Sequence, residues 1–195
     1  MQAMDFPYDN KVVSQKQFDT HIGLYHNAVD AANRIESALG PQLWPGANTI
    51  DSPYRALRKE QAYAMNAVVL HEAYFKNMSH EQGKPGDSTM RLIQEGFGSL
   101  ENWHADFIAC AKSARGWCIT TYNQRMGKVT NNLLDAHDVG FMALAFPLVV
   151  LDMYEHAYFM DDGSDKAAYI NRFVEGIDWD VVEARAWAVT YALDN

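Results

Sequence analysis

The sequence predicts an α+β chain, with an N-terminal antiparallel helical hairpin followed by a C-terminal mixed α/β lobe built on a small three-stranded sheet. Three observations carry this. Apolar residues recur at three- and four-residue steps through two long early segments. After Arg115-Gly116 the pattern gives way to short β-branched and aromatic runs bounded by turn residues. Between the two regimes lies a polar linker, SHEQGKPGDS, which divides the chain into a hairpin lobe at 1-80 and an α/β lobe at 88-195.

The first helix is expected from about Ser14 to Leu39, with Phe18, Ile22, Tyr25, Val29, Ala32 and Ile35 on one face. Ser14 has a short side-chain oxygen suited to an N-cap, and Gly40-Pro41 stops the helix. GPQLWPGANTIDSP then reads as a loop. A second helix follows from about Tyr54 to Met78, with Met65, Val68, Val69, His71, Ala73 and Phe75 expected on its buried side. Two shorter helices fit Thr89–Glu95 and Leu100–Ser113. Trp117–Tyr122 and Val129–Leu134 read as strands around the turn at Asn123–Lys128, and FPLVVL (Phe146–Leu151) as a buried strand. Lys166–Glu175 and Asp180–Tyr191 read as closing helices.

Composition narrows the function. Of 195 residues 48% are hydrophobic, enough to offset the conformational entropy lost on folding and to argue against disorder. Sixteen Lys and Arg stand against 25 Asp and Glu, a net charge of -9, which disfavours nucleic acid and anionic membranes as partners. There is no apolar run of about eighteen residues to span a bilayer. The opening MQAMDFPYDNKVV lacks the basic-then-apolar pattern of a secretory leader. Cys110 and Cys118 are too few to staple a chain this long, point to a reducing compartment, and read as structural. A cytoplasmic protein is the expectation.

Among seven histidines, His21 on the first helix and His71 on the second stand out, together with the pair Asp152 and His156 in DMYEHAYF after the third strand. Two helices packed as a hairpin can each offer one imidazole to a point that a strand end also reaches. Three imidazoles and one carboxylate suit iron, manganese or zinc. A histidine on an apolar helix face is more often a core residue than a ligand, so spacing alone leaves both readings open.

DMYEHAYFMD closely resembles the D-x-W-E-H-A-Y-Y-x-D signature of the iron/manganese superoxide dismutases. FPYDNKVVSQKQFDTHIGLYH, NAVVLHEAYF, FGSLENWHADFIACAKSARGW and YINRFVEGIDWDVVEAR are similar, in order, to that family's other blocks. The resemblance implies that His21, His71, Asp152 and His156 bind one Fe or Mn ion with a solvent molecule as fifth ligand, and that the substrate is superoxide. One carboxylate suits this task. If a proton arrives with each electron, the buried charge stays constant, which avoids a large cost in a low-dielectric site.

The resemblance also exposes departures. The family's solvent-holding glutamine comes from the second ligand helix or from the loop before the ligand strand. Those positions are Ala67, one turn before His71, and His137 in LLDAHDVGF. A small Ala67 leaves room that the His137 imidazole can fill, and histidine there points to iron or dual metal use. The gateway tyrosine is replaced by Val29 and the gateway histidine by Tyr25, which leaves Tyr25 as a candidate channel phenol or a plain core aromatic. The family's lysine is Leu24, so Arg34, Arg115 or Arg185 would have to draw in the anion. Phe75, Trp117 and Tyr154 are expected as pocket walls. Glu155 matches the residue that reaches across the family's two-fold interface, with Phe159 nearby, implying a homodimer. Two alternatives stay open: a divergent member with weak dismutase activity and another mononuclear-iron reaction, and a non-catalytic dimeric binding protein on the same fold.

Overall fold

The structure, a computed structural model, describes residues 1–81 and 83–194; Gln82 of the linker and the terminal Asn195 lie outside the described residues. Helix α1 (Gln15–Leu39) starts where the Ser14 hydroxyl accepts the Gln17 amide, and α2 (Pro53–Lys76) where Ser52 accepts that of Arg55. Each such cap contributes about 1 kcal/mol, and the proline that opens α2 has no N–H to leave unpaired. The two helices pack along most of their length as an antiparallel hairpin. Phe18, His21, Tyr25, Val29 and Ala32 of α1 are buried, as are Ala64, Ala67, Val68, Leu70, His71, Tyr74 and Phe75 of α2.

The expected buried side of α2 needs correction. Val69 is 48% exposed and Met65 and Ala73 are half-buried, because the apolar run NAVVL turns Ala67, Val68 and Leu70 inward and Val69 outward. The helix also ends at Lys76, before Met78, with Asn77 as its C-cap. The Asn77 Oδ1 accepts the Val150 amide and the Arg185 guanidinium, each at 2.9 Å, tying the end of α2 to the C-terminal part.

Helices α3 (Asp87–Phe97) and α4 (Leu100–Ser113) meet at Gly98, whose φ of +80° suits glycine. Strands β1 (Trp117–Asn123), β2 (Lys128–Leu134) and β3 (Ala145–Asp152) form one antiparallel sheet in the order β2-β1-β3. Its register pairs Trp117 with Asp152, which puts both side chains on one face. A 3₁₀ turn (Glu155–Ala157) and a one-turn helix α5 (Phe159–Asp162) come next, both too short to leave a periodic trace in the sequence. Helices α6 (Lys166–Glu175) and α7 (Trp179–Asp194) close the chain. Trp103, Phe107, Trp117, Ile119, Leu151, Tyr169 and Phe173 lie at the centre of the C-terminal part, fully buried.

Candidate metal centre

Asp152 ends β3 with its carboxylate fully buried. Two phenols hold its backbone: the Tyr169 hydroxyl donates to the Asp152 carbonyl at 2.9 Å and accepts from that of Tyr74 at 3.0 Å. Oδ1 accepts the Tyr154 amide at 2.9 Å, which aims Oδ2 at the hairpin. Three imidazole nitrogens surround Oδ2: Nε2 of His21 at 3.2 Å, of His156 at 3.3 Å and of His71 at 3.7 Å. All four donor atoms lie within 4.8 Å of one another.

Local structure explains the convergence. His21 and His71 face each other across the hairpin, ring centroids 5.0 Å apart and nearly perpendicular. His156 comes from the 3₁₀ turn, with its ring 4.9 Å from that of His21. The buried Gln17 amide fixes that turn, donating to the His156 carbonyl at 2.6 Å and accepting the Met160 amide at 3.1 Å. Nδ1 of His71 lies 2.6 Å from the Ala67 carbonyl, which can only accept. Nδ1 therefore carries the proton, and Nε2 presents its lone pair to the cluster.

Burial lowers the pKa of His21 and holds that of His71 down to about 3, against the pull of Asp152. Burial also opposes ionisation of Asp152, but the adjoining imidazoles of His156 and His21 outweigh it, and its carboxyl stays below the usual carboxylate range. Neutral imidazoles and an ionised carboxylate are the forms that ligate cations.

The fit to an ion rests on two orphans. The buried Nε2 atoms of His21 and His71 have no hydrogen-bond partner, a cost of roughly 1 kcal/mol or more each. Ligand bonds of about 2 Å at angles near 90 to 110° place neighbouring donors about 3 to 3.5 Å apart, close to the spacings seen. One transition-metal cation between the three nitrogens and Oδ2 would satisfy both orphans at once.

The surroundings fall into place around these four. Trp117 stands edge-on to His71 at 5.2 Å and donates its indole N–H to Nδ1 of the buried His137 at 2.9 Å. Phe75 packs 5.1 Å from His21, and Tyr154 stacks on His156 at 5.2 Å. Ala67 and Val29 are buried in the hairpin. The Tyr25 hydroxyl donates to Glu72 and accepts the Met4 amide, each at 2.8 Å, so this phenol braces the N-terminal strap. Arg185 is not available as an electrostatic lure: its guanidinium is spent on Asn77, Leu148 and Ala73 oxygens. Arg34 and Arg115 are exposed, with Arg115 lining a cavity beside His156. Leu24, Glu155 and Phe159 are exposed as well.

Tyr63 escaped the sequence reading. It stands edge-on to His137 at 4.6 Å and acts on Tyr154, whose hydroxyl is pushed up to about 12, first by burial and then by Tyr63. Its spacing of four from Ala67 and eight from His71, on one helix face, was the available signal.

Residues 85–185 match the family of iron/manganese superoxide dismutases, C-terminal domain. The chain is 33% identical over 184 residues to an Fe superoxide dismutase of Aquifex pyrophilus, covering 92% of this chain and 86% of that protein. It is 36% identical over 158 residues to an Fe superoxide dismutase of Cupriavidus metallidurans, covering 80% and 78%. Against an Mn superoxide dismutase of Haloferax volcanii the identity is 32% over 180 residues, covering 92% and 87%. The resemblance thus extends over both the hairpin that carries His21 and His71 and the sheet that carries Asp152, and the chain belongs to the iron/manganese superoxide dismutase family.

Proposed function

We infer that the protein is a superoxide dismutase, converting two superoxide ions and two protons to dioxygen and hydrogen peroxide with one Fe or Mn ion per chain. The observation that carries this is the meeting of three imidazole nitrogens at Asp152 Oδ2, two of them buried without a partner. His21, His71, Asp152 and His156 are the residues assigned to hold the ion. When bound, the ion supplies a one-electron couple that accepts an electron from one superoxide and returns it to the next.

The chain supplies the setting. Asp152 contributes a single negative charge, matched to a site that must stabilise a trivalent and a divalent state. The Ala67 carbonyl and the Gln17 amide orient His71 and His156. His137 accepts at Nδ1, so its Nε2 carries a proton and is the ring's donor. Phe75, Trp117 and Tyr154 wall the site and keep bulk water from the donors. With Leu24 in place of a cation, the exposed Arg115, which lines the cavity beside His156 and lies 3.9 Å from Asp135, is assigned to attract the anion.

The same reading places the protein in the cytoplasm as a homodimer. Support for the dimer is the exposed Glu155 directly beside His156, with Phe159, 54% exposed, on the same short segment. No helix among the described residues is long and apolar enough to cross a membrane.

Elemental analysis paired with a steady-state superoxide assay tests the reading. Near-stoichiometric Fe or Mn, and activity proportional to occupancy, are expected. Absence of stoichiometric metal would favour a non-catalytic binding protein, and a full site without dismutation a different iron reaction.

A further inference from the structure

The two cysteines lie on facing elements just behind the site. Cys110 is in the last turn of α4 and Cys118 is the second residue of β1. Trp117 and Cys118 point to opposite faces of the strand, so while Trp117 faces His71, Cys118 faces α4. Its S–H donates to the Phe107 carbonyl at 3.6 Å, one turn before Cys110 on α4, and the Cys110 thiol is its electrostatic neighbour. Cys118 is fully buried. Cys110 is half-buried and opens on a cavity of about 470 Å³ whose polar lining includes Asp106, Ser113, Asn131 and Asn132. A small polar oxidant can therefore reach one sulfur and not the other.

We propose that Cys110 and Cys118 form a peroxide-responsive dithiol, which hydrogen peroxide closes to an intramolecular disulfide joining α4 to β1. The Cys110 thiolate attacks the peroxide; the O–O bond breaks, an S–O bond forms, and hydroxide leaves and is protonated to water. The Cys118 sulfur then attacks the sulfenic acid. The S–O bond breaks, the S–S bond forms, and the Cys118 proton departs with the hydroxyl as a second water. Two thiols lose two electrons and two protons, and one peroxide becomes two waters.

The two sulfurs are suited to different roles. The pairing with Cys118 lowers the pKa of Cys110, against burial and the nearby Asp106 carboxylate. Burial, with the same pairing, pushes Cys118 up, so it keeps its proton until the second step. Peroxide is the product assigned to this protein, and only that choice of source rests on the dismutase reading.

The test treats reduced protein, as purified, with increments of hydrogen peroxide, followed by denaturing alkylation and intact-mass measurement. The mass should fall by two hydrogen atoms, with both thiols lost together and recovered by dithiothreitol. C118S should stop at a sulfenic acid on Cys110 that a dione reagent traps. C110S and C110A, checked for folding by circular dichroism, should slow loss of the Cys118 thiol by at least about tenfold. Oxidation of Cys110 to sulfinic acid while Cys118 stays alkylatable would overturn the proposal. So would equal reactivity of Cys118 in the C110S protein, or a disulfide between two chains. Because the peroxide is added, closure of the dithiol in a protein without dismutase activity would refute the activity alone.

Discussion

The indole N–H of Trp117 donates to Nδ1 of His137 over 2.9 Å, and this decides which imidazole nitrogen carries the proton. Indole can only donate, so Nδ1 must accept and Nε2 must bear the hydrogen. Asn66 fixes the same residue from the other side, donating to the His137 carbonyl at 2.9 Å. A glutamine amide offers a donor of one fixed identity. A histidine needs this neighbour to become one.

Trp117→Phe should leave the metal in place and release the imidazole to sample both tautomers. The midpoint potential should then shift by roughly 40 mV, the equivalent for one electron of a hydrogen bond of about 1 kcal/mol. His137→Ala should also keep the metal while shifting the potential and lowering activity. Redox titration of the loaded protein checks both, and unchanged potentials would remove the pair from any role in tuning.

His71→Ala and Asp152→Ala should each weaken metal retention by at least about 100-fold, with activity lost in step. Asp152 is the sharper case, because its loss leaves the three imidazoles without the carboxylate that faces all of them. Metal content after dialysis against a mild chelator measures this.

Gln17→Ala should remove two partly buried hydrogen bonds, to His156 and Met160, and leave a carbonyl and an amide unmet. A loss of about 2 kcal/mol in urea unfolding is expected, together with weaker metal retention because the His156 turn loosens. Equal stability with unchanged retention would mean that water replaces the amide without cost.

Glu183 accepts the Ser88 and Thr89 amides, both at 2.9 Å, capping α3 from α7. Burial tends to raise its pKa, but these hydrogen bonds win and lower it. A folded-state pKa below the unfolded value stabilises the protein above the unfolded value. That stability drains away as pH falls through the folded one. Glu183→Gln should therefore cost about 1 kcal/mol at neutral pH and progressively less below the normal glutamate range, measured by denaturant unfolding at several pH values.

The hairpin and sheet were legible because their patterns are long: the α1 stripe repeats over six turns, and β1–β3 begin where the helical period stops. The grouping of His21, His71, Asp152 and His156 was legible from the family blocks more than from spacing. What the sequence hid are contacts made by folding back. Arg185 reads as an exposed charge, yet it sits under the end of α2 with burial lowering it to about 10. Tyr63, still 40% exposed, meets His137 only because the loop bearing that histidine lies against it. The turn of His156 and helix α5 are too short for any period to register.

The donors come from the beginning and the far end of the chain, with Gln17 stitching residue 156 back to α1. A ribosome therefore exposes His21 and His71 well before it has made Asp152. The nascent hairpin holds two imidazoles, too few to compete for a scarce ion, until synthesis passes α5 and the ends are joined. Chains that stop before Asp152 would lack two of the four donors and be left empty.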